Sequence, residues 1–373
     1  MPGTQNLPKI GILSLGDMGS GIARLLTAHG YPVVTNIAGR SKDTLARAES
    51  AGVTLVPTDE ALVSASTVIL SIVPPRDALE TARRILVASR NVSLPSETKR
   101  EKDVFFADMN AISPRSVKEI AALFDTPRPS SSPSSRTSVD DPTSTSTPRP
   151  SSGGVTIRFI DGAVLGGPPS PPSSQSASSP SSSPLEKTNP WDSWTRPLLP
   201  TSGPYVLPQL FPSLSSLLNI SHISPLIGSA SALKMCFASL SKGYAAIATQ
   251  AVTTAKRHGV FAELEDSLQQ LAPAQLARMR SAVVGMPPKA YRWVHEMHEI
   301  SATHAGQDDD EGEGFAPEFM FRGAAEVFRT VAEDTVLGGE KVGKRVRGQT
   351  AEDVADAMVE GLRERKRTRR SET

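Results

Sequence analysis

Two stretches of this 373-residue chain could do chemistry. The first, Lys9 to Leu26, reads KIGILSLGDMGSGIARLL. An apolar run, Ile10 to Leu15, breaks at Gly16-Asp17-Met18-Gly19 and resumes with helical spacing at Ile22, Ala23, Leu25 and Leu26. Strand, glycine turn and helix in that order present backbone N–H groups and a helix N-terminus to an anion, and glycine lets the backbone approach a pyrophosphate closely. Ser14 stands where the strict G-x-G-x-x-G pattern has its first glycine. The second stretch, Ile227 to His258, has helical periodicity, is apolar nearly all round, and carries Lys234 and Lys242. A lysine exchanges a proton with a reacting hydroxyl only when burial or a nearby cation lowers its pKa towards working pH. Lys242 lies about 80° further round an α-helix than Lys234, where it can be that cation or hold a carboxylate or phosphate.

A glycine turn of this kind needs a sheet to hold it. Tyr31 to Ile37 reads as a second strand with Gly39-Arg40-Ser41 at its end, where a dinucleotide fold meets the adenosine ribose. No Asp or Glu lies between Gly19 and Lys42, and an arginine suits a 2′-phosphate, so Arg40 and Ser41 point to NADP(H). A helix over Asp43 to Ala51, a strand near Val53 to Val56 and a helix near Asp59 to Ser64 follow. Thr67 to Val73 is a buried strand stopped by Pro74-Pro75, and Asp77 opens a helix to about Leu86. Val104 to Met109 is a strand with Asn110 to Pro114 at its exit and a helix to Phe124, and Ile157 to Gly167 is a strand ending in two glycines. Strands alternating with helices predict a doubly wound parallel sheet.

Two low-complexity blocks interrupt that domain. In Pro127 to Ser152, 20 of 26 residues are Ser, Pro or Thr, and in Pro168 to Pro184, 15 of 17 are Ser or Pro. Neither can bury enough apolar surface to offset ordering, so both are expected to be disordered insertions. Leu198 to Ser202 and Ile220 to Ser224 read as short closing strands around a leucine-rich helix at Val206 to Leu218. The chain after Ile227 is mostly helical: Glu263 to Leu271, Ala274 to Val284, Lys289 to Ser301, Gly323 to Leu337 and Ala351 to Arg363. The expected organisation is α/β: a Rossmann-like domain over residues 1–225 with insertions at 127–152 and 168–184, a long interdomain helix leading into an all-helical domain over 226–362, and a basic tail at 363–373.

Composition removes several classes. Lys plus Arg total 40 against 39 for Asp plus Glu, so no global field favours nucleic acid, despite six basic residues in Arg363 to Arg370. No run is long enough to span a membrane, and the polar N-terminus MPGTQNLPK has no secretory core, so a cytoplasmic protein is expected. The single cysteine, Cys236, excludes an internal disulfide and reads as a packed small hydrophobe. His295-Glu296-Met297-His298 has its histidines three apart where a zincin helix needs four, so an exposed amphipathic helix is expected and no metal. Lys289 and Arg292 in that helix are candidate anion binders.

These pieces resemble the β-hydroxyacid dehydrogenase superfamily, which includes 3-hydroxyisobutyrate and 6-phosphogluconate dehydrogenases. The resemblance runs from Lys9 to about Gly259, and the helical remainder, through Gly285 to Ile300 and Val331 to Leu337, resembles the C-terminal domain of uncharacterised fungal 6-phosphogluconate-dehydrogenase-like proteins. It implies cofactor contacts at Leu15, Gly16, Asp17, Met18, Gly19, Arg40, Ser41, Val73 and Pro74. Gly228 to Lys234 is similar to the family's G-x-G-x-x-x-K, which implies that Lys234 is the acid–base residue and favours a hydroxy or keto acid over an imine. Substrate contacts are implied at Asn110, Gly166 and Gly167, with Lys242 a further candidate. Three positions depart from the family: Asn110 and Leu165 each replace a serine, and Ala238 replaces an asparagine. The resemblance therefore implies an NADP-dependent dehydrogenase or reductase, small-molecule substrate and homodimer, and the departures leave a cofactor-binding sensor or scaffold without turnover as the alternative.

Overall fold

The structure, a computed structural model, describes residues 7–39, 41–92, 102–125, 155–172, 191–306 and 314–371. Arg40, the whole first Ser/Pro block and most of the second lie outside these residues, so the expectations placed on them are not addressed. The chain divides into two compact units, one built from Met1–Val73, Asp77–Asn110 and Val117–Ile227, the other from Pro74–Arg76, Ala111–Ser116 and Gly228–Thr373.

The first unit is an eight-stranded sheet: β1 (Ile10–Leu13), β2 (Val33–Asn36), β3 (Thr54–Val56), β4 (Val68–Ser71), β5 (Lys102–Asp108), β6 (Val155–Gly162), β7 (Leu199–Ser202) and β8 (Ile220–Ser224). Their spatial order is β3-β2-β1-β4-β5-β6-β7-β8. All neighbouring pairs are parallel except β6 with β7. The order reverses between β1 and β4, the switch point at which an open α/β sheet leaves a crevice beyond its strands' carboxyl ends. β1 and β4 are buried at every position, which is why they read as apolar runs rather than alternating ones. Ile10, Ile12, Ile22, Leu25, Leu26, Val68 and Leu70 share one core. Phe106, Phe124 and Phe159 stack at 5.4–6.1 Å between ring centroids.

Two local expectations change. The helix expected over Val206 to Leu218 is two, Leu207–Leu210 and Pro212–Leu218, because Pro212 removes a backbone donor where the turn would continue. Ordered chain also runs further into the second Ser/Pro block than composition predicts: Ser170 exchanges both backbone hydrogen bonds with Thr195, at 3.1 and 3.0 Å.

The second unit is helical. Its core joins Met235, Val252, Met279, Val283, Met297, Ile300, Phe328, Val331 and Val354. The long pattern from Ile227 forms one continuous helical path with a defect: α-helix over Ser229–Ala238, a π-turn over Ser239–Gly243, then α-helix over Tyr244–Arg257. It is not buried all round, since Leu233, Phe237, Leu240 and Ile247 are exposed. Cys236 is also exposed, correcting the expectation of a packed residue. The last helix, Ala351–Ser371, carries the basic tail as its final turns.

Candidate functional site

In the first unit the sequence-predicted residues fall at the carboxyl ends of four adjacent strands. Leu15 to Gly19 follow β1, Val73 follows β4, Asn110 follows β5, and Gly166 with Gly167 follow β6. Ser14 adopts φ 75°, the left-handed conformation a glycine takes freely, so the serine performs the turn that the missing first glycine would. Gly16 caps the Asp17–Ala28 helix without a side-chain bond, and a Cβ there would meet nothing within 4 Å. A Cβ on Gly19 would stand 2.1 Å from the Ser14 carbonyl oxygen. The turn is thus closed tightly beneath and open above the helix N-terminus, with unbonded first-turn N–H groups, and these residues fit a pyrophosphate.

Sequence reasoning missed one support of this turn. Arg47 donates from Nε to the Leu15 carbonyl at 2.6 Å, latching the turn to the Lys42–Ser50 helix. Ser41, expected at the cofactor, caps that helix, accepting from Thr44 N at 3.3 Å. Arg40 lies outside the described residues.

Asn110 is buried, and its side chain works inside the fold. Its Oδ1 accepts from Val73 N at 2.7 Å and its Nδ2 donates to Ser71 Oγ at 3.2 Å, tying the ends of β4 and β5. The side chain expected at the substrate is 2% exposed and twice bonded within the fold, with one N–H left to offer. Gly166 and Gly167 are exposed, and Gly166 has φ 123°, which favours glycine there. Beneath them Ser71, Asp108, Asp161 and Ser202 stand in register across four strands. Burial, reinforced by Asp161, raises the Asp108 carboxyl to about 7 although Asn110 N donates to it. Asp161 accepts from Ser202 Oγ at 2.7 Å.

In the second unit, Lys234 is half-buried on the Ser229–Ala238 helix. Burial and the positive charge of Arg292 lower its pKa to about 8. Lys242 sits in the π-turn. A π-turn accommodates about one extra residue, so the eight-residue step from Lys234 acts as seven, about 20° round the helix instead of about 80°. The defect puts both lysines on nearly one face. Lys242 is buried against Glu296 as an ion pair and lies 5.5 Å from the Trp293 ring centroid. Burial, then the charges of Lys234, Arg292 and Lys289, push its ammonium well below the ordinary lysine value.

The helix Ala290–His304 therefore does more than the exposed amphipathic segment expected of it. His295 and His298 are exposed, whereas Glu296 is buried. Arg292, Glu296 and Glu299 share a face at i, i+4 and i+7. Glu299 accepts from Ser113 N and Ser116 Oγ, both at 2.8 Å, which fixes the loop after Ala111. That 4,3 spacing was the available signal, but it cannot be told from a solvated stripe without knowing what packs there. Pro74, an expected cofactor contact, groups with this second unit.

Comparison with known proteins agrees with the two-unit reading. Residues 9–94 match the family model "NADP oxidoreductase coenzyme F420-dependent", and residues 255–331 match a domain of unknown function, DUF1932. Among curated proteins none matches the sequence. The structure resembles Mycobacterium tuberculosis 3-hydroxyisobutyrate dehydrogenase solved with L-serine, at 16% identity and TM-score 0.55, covering 96% of this chain and 99% of that one. It also resembles 3-hydroxyisobutyrate dehydrogenase from Salmonella typhimurium, at 15% identity and TM-score 0.54, with coverages of 93% and 98%. A third likeness is Psf3 in complex with NADP+ and 2-OPP, at 16% identity and TM-score 0.52, covering 86% and 94%. The fold is that of an α/β unit and a helical unit in one chain. The chain shares the fold of these 3-hydroxyisobutyrate dehydrogenases.

Proposed function

We propose that this protein is an NADP(H)-dependent oxidoreductase acting on a small hydroxy acid or its keto acid, with Lys234 as general acid and base. The observation that carries this reading is Lys234 itself, half-buried beside Arg292 with its pKa lowered to about 8. At that value both protonation states are populated near neutral pH, as reversible proton exchange requires. Leu15 to Gly19 receive the pyrophosphate, with Arg40 and Ser41 beside the 2′-phosphate and Val73 and Pro74 along the nicotinamide. When bound, the nicotinamide supplies or accepts the hydride. In the oxidation direction neutral Lys234 Nζ takes the hydroxyl proton; in reduction its ammonium returns that proton to the oxygen. Gly166 and Gly167 offer backbone N–H groups to the substrate, and Asn110 holds Val73 in place and offers its last N–H.

Calorimetric titration with NADPH and NADH, alongside Arg40→Ala, tests the cofactor half. NADPH binding weakened by the substitution supports it, and no binding of either dinucleotide removes it. Lys234→Ala with a turned-over substrate tests the proton role, and unchanged turnover would remove that assignment. A cofactor-binding protein without turnover is the second reading, favoured by the internal bonding of Asn110. NADPH binding with no turnover across hydroxy-acid, keto-acid and imine panels would support it. No helix among the described residues is long and apolar enough to cross a membrane.

We also infer a homodimer. Leu233, Phe237 and Leu240 recur at steps of four and three along one helix face and are all exposed, with Leu240 at 72%. An exposed apolar patch of this kind suits a covered surface, and a second copy of the chain, in a symmetric pair, is the occupant we assign to it.

A further inference from the structure

We propose that Arg292, backed by the Lys242–Glu296 pair, is the recognition residue for an oxyanion group, a carboxylate or a phosphate, on the ligand of the second unit. In calling that ligand the substrate, the proposal rests on the function proposed above; the anion site itself does not.

Arg292 is exposed and makes no hydrogen bond or ion pair among the described residues. It precedes Glu296 by four residues, so it sits on the same face, about 6 Å along the axis. Glu296 grips Lys242, so Arg292 stands next to a lysine whose place is fixed. The Trp293 ring centroid lies 5.5 Å from that lysine's Nζ, and the ring is itself packed edge-on against Phe328 at 5.1 Å. The carboxylates of this stripe are already engaged, Glu296 by Lys242 and Glu299 by Ser113 and Ser116. The guanidinium alone is left open on it.

Glu296 offsets the charge of Lys242, but Lys234 leaves Arg292 facing a second cation, and an incoming anion reverses the sign of that repulsion. The planar fork of arginine matches carboxylate and phosphate oxygens two at a time, which an ammonium does not. Lys242, half-buried and paired with Glu296, fixes the place of the stripe and makes no contact with the anion itself. The family's usual polar side chains are meanwhile missing or turned inward: Asn110 is buried, and Leu165 and Ala238 are apolar. Recognition of the acid group thus has a candidate on the second unit that does not depend on them.

The test is calorimetric titration of the full-length protein with inorganic phosphate, malonate and, as control, chloride, with and without saturating NADPH. Wild type, Arg292→Ala and Arg292→Lys are compared, with melting temperatures recorded; Arg292 is exposed, so its variants are expected to fold. The expected result is binding of phosphate or malonate that is about tenfold weaker or more in Arg292→Ala and intermediate in Arg292→Lys. The stronger of the two anions identifies the group. Binding by neither anion, or binding unchanged in Arg292→Ala, overturns the proposal. Absence of NADPH binding in the same experiment would instead count against the proposed reaction, leaving the anion result to stand or fall by itself.

Discussion

The Cβ that Gly19 lacks would stand 2.1 Å from the carbonyl oxygen of Ser14, a residue held at φ 75°. The two residues close the turn between β1 and its helix from opposite sides, one by having no side chain and the other by tolerating a left-handed backbone. Gly19→Ala should destabilise the protein by about 2 kcal/mol or more through overpacking against immovable backbone, and should abolish NADPH binding. Ser14→Gly should have the opposite sign. It removes about 1 kcal/mol of left-handed strain and returns part of that as unfolded-chain entropy, for a net gain of about 0.5 kcal/mol. Urea denaturation of both variants measures the pair, and a loss of stability in Ser14→Gly would contradict the strain.

Asp108 makes a second prediction. Its carboxyl rises from 3.8 to about 7 by burial and the neighbouring Asp161. Between those values the native state keeps a proton that the unfolded chain has released, so this group's contribution to stability falls as pH rises through the window. At about 1.4 kcal/mol per unit the ceiling is about 4 kcal/mol. Asp108→Asn preserves an acceptor for Asn110 N and removes the titration. Its melting temperature should match wild type near pH 4 and exceed it at pH 8, and parallel profiles would show that Asp108 does not titrate there.

Lys234 sets the pH dependence of turnover. With its pKa near 8, kcat/KM for oxidation should rise with pH to a plateau above that value, because the neutral amine is the base. Reduction should fall over the same range. Removing the charge in Arg292→Ala should move the inflection upward, since Arg292 lowers the lysine. A profile with no inflection between pH 7 and 9 would exclude Lys234 as the titrating group.

The buried pair Lys242–Glu296 should show the asymmetry of desolvated charges. Glu296→Gln leaves the lysine without its carboxylate and should cost about 3 kcal/mol, whereas Lys242→Met with Glu296→Leu should lie much nearer wild type. Chemical denaturation of the single and double variants gives the coupling. Equal losses in both would mean that packing against Trp293, and not charge, holds the helices.

Leu240→Glu tests the dimer. Light scattering of wild type should give twice the chain mass, and the variant should give the monomer with its fold intact, because Leu240 is 72% exposed within one chain. A monomeric wild type would leave the stripe to another partner.

Much of the first unit was legible because backbone physics repeats in sequence. A buried parallel strand needs a continuous apolar run, as at Val68 to Ser71, and a tight strand-to-helix turn needs residues such as Gly19 that permit close approach. The alternation of strands and helices and the glycine turn after the first strand follow from those local needs, whereas the switch point beside that turn is a matter of strand pairing. Lys234 was legible as a charge within an apolar helix. What the sequence left open depends on packing across long separations. The π-turn that brings Lys242 onto the face of Lys234 is one extra residue in a turn, invisible to a periodicity that assumes a regular helix. Whether Asn110 faces a ligand or Val73, whether Glu296 faces water or Lys242, and whether Glu299 holds a loop 186 residues away are questions of which surfaces meet. A polar side chain has the same letter in either environment; only the tertiary structure, by removing water from one side of it, decides its partner and its charge.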